Sequence, residues 1–328
     1  MISNRPRRPL RVTLNKDDVL FFQHIPKTGG LSLIAFLDSQ FAQNEIFPLH
    51  SAGSEGEISK FTPEQLQGYR LIRGHFRFGP YDNGIYRYFT QNPLRITFLR
   101  EPISRTISAY RHQRRIQKFG EETTLEDYLT DPQYARFVVD LQTRLTIGKI
   151  KAGTADWTDK KPLPDSVLLQ VAKENLEYMA FVGMTEQFKA SMQLLCHTFD
   201  WRMPQDIPQI NSSPEPFDPS TLPPSTLEII KEKTRLDAEL YEFATRLFQE
   251  RYQQMVDNLV EENYDLRNPH AKQAAPLVAT VLLPDMPPPS SWSHKVIRSA
   301  RRRLFPDGTH REAIYLRMRD SIFKRPQS

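Results

Sequence analysis

Residues 19–37 read Val19-Leu-Phe-Phe-Gln-His-Ile-Pro-Lys-Thr-Gly-Gly-Leu-Ser-Leu-Ile-Ala-Phe-Leu37. The apolar run opening at Val19 and closing at Ile25 suits a buried strand of a parallel sheet, covered on both faces. Pro26 cannot donate to a ladder, so the strand is expected to stop there. Gly29 and Gly30 allow a tight turn that exposes backbone N–H groups, and a helix is expected from about Leu31. Ser32 stands where a hydroxyl caps a helix or meets an anion, and Lys27 adds a full positive charge. Free amides at a helix N-terminus beside a lysine form a site for a phosphate-like group. The plain alternative is an ordinary Gly-rich strand-to-helix turn.

Outward from this stretch, the pattern alternates. Thr62-Pro-Glu-Gln65 carries the cap and proline that open a helix, and Tyr69–Ile72 reads as a short strand ending in Arg73-Gly74-His75. Residues 76–93 form an aromatic-rich loop. Arg95–Leu99 reads as a third strand running into Arg100-Glu101-Pro102, with a helix over Ile103–Lys118. Thr123 to Glu126 suggests a capping box for the next helix. Residues 144–168 read as a polar surface excursion, and Tyr178–Met184 as a fourth strand. A helix follows with Phe188, Met192, Leu195 and Phe199 at helical spacing. Residues 204–224 are a Pro-rich loop, and Ser225 to Glu228 suggests the cap of a long helix reaching about Leu259. Strands alternating with helices argue an α/β fold with a doubly wound parallel sheet. The expected division is a loose arm over 1–18, one domain over 19–267, and a Pro-rich linker with a basic amphipathic helical tail over 268–328.

The chain has 328 residues, 39% hydrophobic and 25% charged, enough for a sizeable core. A net charge of +5 favours anionic ligands, and no nucleic-acid partner is expected from so mild an excess. One cysteine, Cys196, sits in an apolar helical pattern; it fits a core thiol and a reducing compartment. No run approaches the roughly 18 apolar residues of a membrane span, and the N-terminus lacks the apolar region of a signal peptide. A cytoplasmic location is therefore expected.

Two strand ends matter together, because ligands of open α/β sheets bind beyond the carboxyl ends of strands. The first ends at Lys27-Thr28-Gly29-Gly30. The third ends at Arg100, with Ser104 and Ser108 on one face of the following helix. Arg100 and Ser108 are placed to converge on a second anionic group. The pattern thus implies a ligand with two separated anionic groups. A P-loop kinase fits poorly: the Gly-x-x-x-x-Gly-Lys spacing is missing, and an arginine stands where such enzymes place a metal-holding aspartate. Metal-free group transfer suits the charges better.

These residues resemble a known family. His24-Ile-Pro-Lys-Thr-Gly-Gly-Leu-Ser32, Arg73-Gly-His75 and Thr97-Phe-Leu-Arg-Glu-Pro-Ile-Ser-Arg-Thr-Ile-Ser-Ala-Tyr110 are similar to carbohydrate sulfotransferases of the heparan sulfate 2-O/6-O type. Phe181-Val-Gly-Met-Thr-Glu-Gln-Phe188 and Leu236-Asp-Ala-Glu-Leu-Tyr-Glu-Phe-Ala244 look nearer to the 6-O branch, and the resemblance covers about 19–256. It implies a P-loop-like three-layer sandwich, 3′-phosphoadenosine-5′-phosphosulfate (PAPS) as donor, no metal, and a carbohydrate acceptor. Under it, Lys27, Thr28, Gly29, Gly30, Leu31 and Ser32 would cradle the 5′-phosphosulfate, and Arg100 and Ser108 would take the 3′-phosphate. His75 would be the general base. The family usually has Thr where this chain has Leu31, which implies weaker donor binding with the backbone contact kept. Golgi-resident relatives carry an anchor, so the resemblance as found points to a bacterial, cytoplasmic enzyme. The alternatives are a P-loop kinase, or a non-catalytic nucleotide- or glycan-binding module on the same fold.

His24 is expected to be structural. The run Arg105, Arg111, Arg114, Arg115 and Lys118 is expected to be a solvated face, with recruitment of an acidic glycan as its functional alternative. The basic tail over 294–325 suits either a peripheral membrane surface or a partner protein, or is simply solvated.

Overall fold

The computed structural model describes residues 9–48, 61–75, 93–116, 118–120, 122–147, 164–204 and 218–264. All but the last residue of the 76–93 aromatic loop, most of the 144–168 excursion and of the 204–224 loop, and the 268–328 linker and tail lie outside them. Among the described residues four strands form one parallel sheet: β1 (Leu20–Gln23), β2 (Leu71–Gly74), β3 (Leu94–Leu99) and β4 (Phe181–Met184), in the order β2-β1-β3-β4. Leu20 pairs with Leu71 on one side and Leu94 on the other, and Leu99 pairs with Met184. The expected α/β class with a central parallel sheet is what the chain adopts. The chain runs from β1 to β2 on one side, then crosses to β3 on the other. The switch point between β1 and β3 is where such sheets open a crevice at their carboxyl ends.

The helices, in chain order, are α1 (Gly30–Asp38), α2 (Pro63–Gln67), α3 (Pro102–Arg115), α4 (Leu125–Thr130), α5 (Ala135–Val138), α6 (Leu141–Ile147), α7 (Asp165–Tyr178), α8 (Phe188–Phe199), α9 (Pro224–Lys233) and α10 (Arg235–Tyr264). Every residue of β1 is buried. Leu20 and Phe22 join the main core with Leu33 and Leu37 of α1, whereas Phe21 joins Ile72, Phe47 and Leu66 in a second cluster. That two-sided burial is why the strand is apolar without alternation. Among the described residues no helix is long and apolar enough to cross a membrane.

Several expected boundaries shift, each for a local reason. Thr62 caps α2 as expected, accepting from the Gln65 N–H at 3.3 Å. The next capping box lies one residue later than expected: Thr124 accepts from the Asp127 N–H, and Asp127 from the Thr124 N–H, which turns Tyr128 and Leu129 inward. The expected strand Tyr178–Met184 begins only at Phe181, because Tyr178 ends α7. Helix α7 is absent from the sequence reading, although Leu168, Leu169, Ala172 and Leu176 give it a buried stripe. The long C-terminal helix is two helices. α9 starts on Pro224 with no side-chain cap, so Ser225 does not cap it, and the chain breaks at Thr234.

The break has a long-range cause. Asp140 Oδ1 accepts from the Leu236 and Asp237 N–H groups, capping α10. In return, Asp237 accepts from the Gln142 and Thr143 N–H groups, capping α6. Burial and the Asp237 charge push the Asp140 carboxyl up to about 6. The arm expected to be loose is tied down over its second half: Leu10, Val12 and Leu14 rest on the main core, and the Val12 N–H donates to the Thr198 carbonyl at 2.8 Å.

Candidate active site

The loop after β1 is built around two left-handed residues, Lys27 (φ 73°) and Gly29 (φ 77°). For a lysine that conformation is uncommon and strained. The Thr28 side chain is fully buried, and its hydroxyl donates to the Ile25 carbonyl at 2.9 Å, so it shapes the loop. Gly29 is the N-cap of α1, and no side chain caps that helix. The first amides of α1 thus lack the side-chain acceptor that most helix starts carry. At the start of α3 the opposite holds: the Glu101 carboxylate accepts from the Ile103 and Ser104 N–H groups at 2.9 and 2.7 Å. An anion beyond β1 can be met by helix amides, whereas one beyond β3 must be met by side chains.

Gly30 is required by a close approach and not by its φ. A Cβ built there would lie 2.0 Å from Nε2 of His24. His24 is buried, and its ring stacks on Phe22 at 5.4 Å and on His75 at 4.2 Å between centroids. Burial, with the His75 and Lys27 charges adding to it, holds His24 well below its usual pKa. This neutral, wedged ring is the structural histidine expected from the sequence.

His75 follows β2, whose last residue, Gly74, has φ 146°. Arg73 anchors that strand end by bonding Asp38 through both Nε and Nη2 and the Phe47 carbonyl through Nη1. Nδ1 of His75 lies 2.7 Å from the His24 carbonyl oxygen. A carbonyl only accepts, so Nδ1 carries the proton and Nε2 keeps its lone pair. Burial lowers the His75 pKa, the His24 bond opposes that, and the Lys27 charge lowers it further. The neutral form with a basic Nε2 therefore dominates near pH 7.

Arg100 closes the crevice from β3. Its backbone N–H donates to Gln142 Oε1 and its carbonyl accepts from Gln142 Nε2, at 2.9 and 2.8 Å. Its Nη1 donates to the Lys27 carbonyl at 3.2 Å, joining the two strand ends directly. Its Nε is buried without a hydrogen-bond partner. Burial, then the Arg115 and Arg100 charges, lower the Lys27 ammonium pKa.

Lys27 and Arg100 thus meet at the switch point, with Thr28, Gly29 and Gly30 forming the loop beside them, and His75 stands at the adjoining end of β2, near enough to feel the Lys27 charge. Ser32 is buried in the first turn of α1, and Leu31 beside it is 46% exposed. Ser108 is half-buried on α3.

The basic run on α3 is not one solvated face. Arg105 is fully buried and donates to the Phe137 carbonyl at 3.0 Å. At the far end, Arg115 Nη2 lies 3.2 Å from His112 Nδ1. After burial, the charges of Lys27, Arg115 and His75 lower the His112 pKa. Arg115 therefore adds positive charge near Lys27, while His112 beside it is pushed toward its neutral form. Their spacing from Ser104 and Ser108, on one helical face, was the signal for this placement.

A model described as the Sulfotransferase family matches residues 10–244. The chain belongs to that family. Among similar proteins are heparan-sulfate 6-O-sulfotransferase 3-B of Danio rerio, 26% identical over 296 residues, covering 75% of this chain and 67% of the relative. Heparan-sulfate 6-O-sulfotransferase 1 of Cricetulus griseus is 26% identical, with 75% and 71% covered. The Homo sapiens 6-O-sulfotransferase 1 is 26% identical, with 75% and 69% covered. The family and enzyme class read from the sequence are those of a sulfotransferase, and the loop, His75 and Arg100 all fall inside the matched span.

Proposed function

We propose that this sulfotransferase moves a sulfuryl group from PAPS to a hydroxyl of a carbohydrate. The observation that carries the reading is the Arg100–Lys27 contact at the β1/β3 switch point, with His75 at the adjoining end of β2 keeping its Nε2 lone pair. The residues fit a donor bearing two anionic ends. The uncapped start of α1 and Lys27 suit the 5′ end, and the Arg100 guanidinium, anchored to the Lys27 carbonyl through Nη1, suits a 3′-phosphate. PAPS supplies an activated sulfuryl group and a nucleotide leaving group. Lys27 offsets negative charge on the leaving side. Nε2 of His75 accepts the acceptor's hydroxyl proton, with Nδ1 held by the His24 carbonyl. Positioning and charge do most of the work in such a transfer, as in phosphoryl transfer. The names of the similar proteins support a carbohydrate acceptor. The buried, unpaired Cys196 accords with the proposed cytoplasmic setting.

Calorimetric titration tests the donor. Adenosine 3′,5′-bisphosphate is expected to bind, and Arg100→Ala to lose roughly tenfold or more of that affinity. Binding only to ATP with Mg²⁺ would overturn the assignment in favour of a kinase.

A further inference from the structure

An acidic side chain at the rim of an anion-binding crevice opposes the ligand's charge, so its presence calls for a mechanical reason. Glu186, two residues beyond β4, is such a group. Its Oε1 accepts from the Glu101 N–H at 3.0 Å and lies 3.9 Å from Nε of Arg100. Its Oε2 accepts from the Tyr241 hydroxyl at 2.8 Å. Tyr241 comes from α10, so the far end of the domain reaches the crevice through this carboxylate.

The neighbouring residue makes a matching tie. Thr185 Oγ1 lies 2.9 Å from the Thr28 carbonyl and 3.0 Å from the Leu99 carbonyl, bridging the loop after β1 and the end of β3. Thr185 and Glu186 together join both anion-binding strand ends to the exit of β4. Within that frame, the Arg100 guanidinium is held on its Nη1 side by the Lys27 carbonyl and faces Glu186 through Nε. A planar fork steadied at these two points has one orientation left for its outer edge.

We infer that Glu186, itself held by Tyr241, is a positioning residue that orients Arg100 toward the 3′-phosphate of the donor. This rests on the donor assignment made above. Charge alone predicts the reverse effect, since removing a carboxylate from the rim would strengthen anion binding.

Tyr241→Phe is the cleanest test, because it removes the hydroxyl without changing any charge. The quantity to measure is the ratio of affinities for adenosine 3′,5′-bisphosphate and adenosine 5′-monophosphate, which isolates the 3′-phosphate. Both are read by calorimetry on the full chain, alongside thermal unfolding. In Tyr241→Phe the ratio is expected to fall roughly three- to tenfold, with 5′-monophosphate affinity kept. Glu186→Ala should lower the ratio at least as far, and adding either change to Arg100→Ala should cause no further loss.

An unchanged ratio in Tyr241→Phe, or a raised ratio in Glu186→Ala, overturns the inference. Equal weakening of both nucleotides overturns it too, since that marks a merely structural role. A ratio retained in Arg100→Ala alone would sink the donor assignment itself, and so separates the two failures.

Discussion

Gly30→Ala tests the wedge that sets His24 and, through it, His75 of the candidate site. The added Cβ would sit 2.0 Å from Nε2, 2.1 Å from Cδ2 and 2.6 Å from Cε1 of His24. These are covalent-scale separations, so either the ring or the start of α1 must move. The ring has little room, because it is buried and both Phe22 and His75 stack against it. Overpacking of this kind costs about 1–3 kcal/mol, and the rigid neighbours put this case at the upper end. Helix propensity offsets at most about 1 kcal/mol, less here at the first turn. The net expectation is a loss of about 2 kcal/mol in urea unfolding.

A second consequence follows from the same contact. Moving His24 shifts the carbonyl that fixes Nδ1 of His75, so proton acceptance should suffer beyond the loss of stability. The decisive experiment is a double-mutant cycle with His24→Ala. Removing the ring opens the space the new methyl needs, so the double variant should be more stable than the sum of the singles by at least about 1 kcal/mol. Gly30→Ala within about 0.5 kcal/mol of the parent, or additive behaviour in the cycle, would refute the steric argument.

Gly183→Ala should behave alike, since its Cβ would lie 2.5 Å from the Phe98 ring; a loss of about 1–3 kcal/mol in urea unfolding, relieved by Phe98→Leu, is expected. Asp140 titrates above its unfolded value, so its stabilising contribution is complete below about pH 4 and vanishes as pH rises through about 6. Asp140→Asn stays neutral and keeps one oxygen for both backbone donors. It should therefore be more stable than the parent at pH 7, by at most about 3 kcal/mol, with the gap closing toward pH 4 in thermal unfolding. His75→Ala should lower sulfuryl transfer about 10²–10⁴-fold while leaving adenosine 3′,5′-bisphosphate affinity within about threefold in calorimetry. Because its pKa is lowered, the parent's acid limb of activity should fall below the ordinary histidine range; a limb at or above that range would contradict the burial argument.

Much of the site was legible because its parts are local in sequence. The run from Val19 to Ile25, the halt at Pro26 and the paired glycines specify a strand, loop and helix within 19 residues. Arg100-Glu101-Pro102 likewise announces a strand end and a capped helix. Parallel pairing then had to bring the two strand ends together, since a doubly wound sheet aligns the carboxyl ends of its strands.

Other features could not be read that way, because their partners are remote. Arg105 looked like one charge in a basic run; only the fold of α5 over α3 places the Phe137 carbonyl against it. The Asp140–Asp237 exchange of caps joins residues 97 apart and breaks a helix that periodicity would have continued. Glu186 and Tyr241 are 55 apart and meet at Arg100. Hydrogen-bond caps, turns and apolar runs act over a few residues, so sequence alone determined the strand, the loop and the chemistry they offer. Desolvation and charge pairing act through space, so the tertiary structure decided which histidine is wedged, which holds a free lone pair, and which arginine is left to meet an anion.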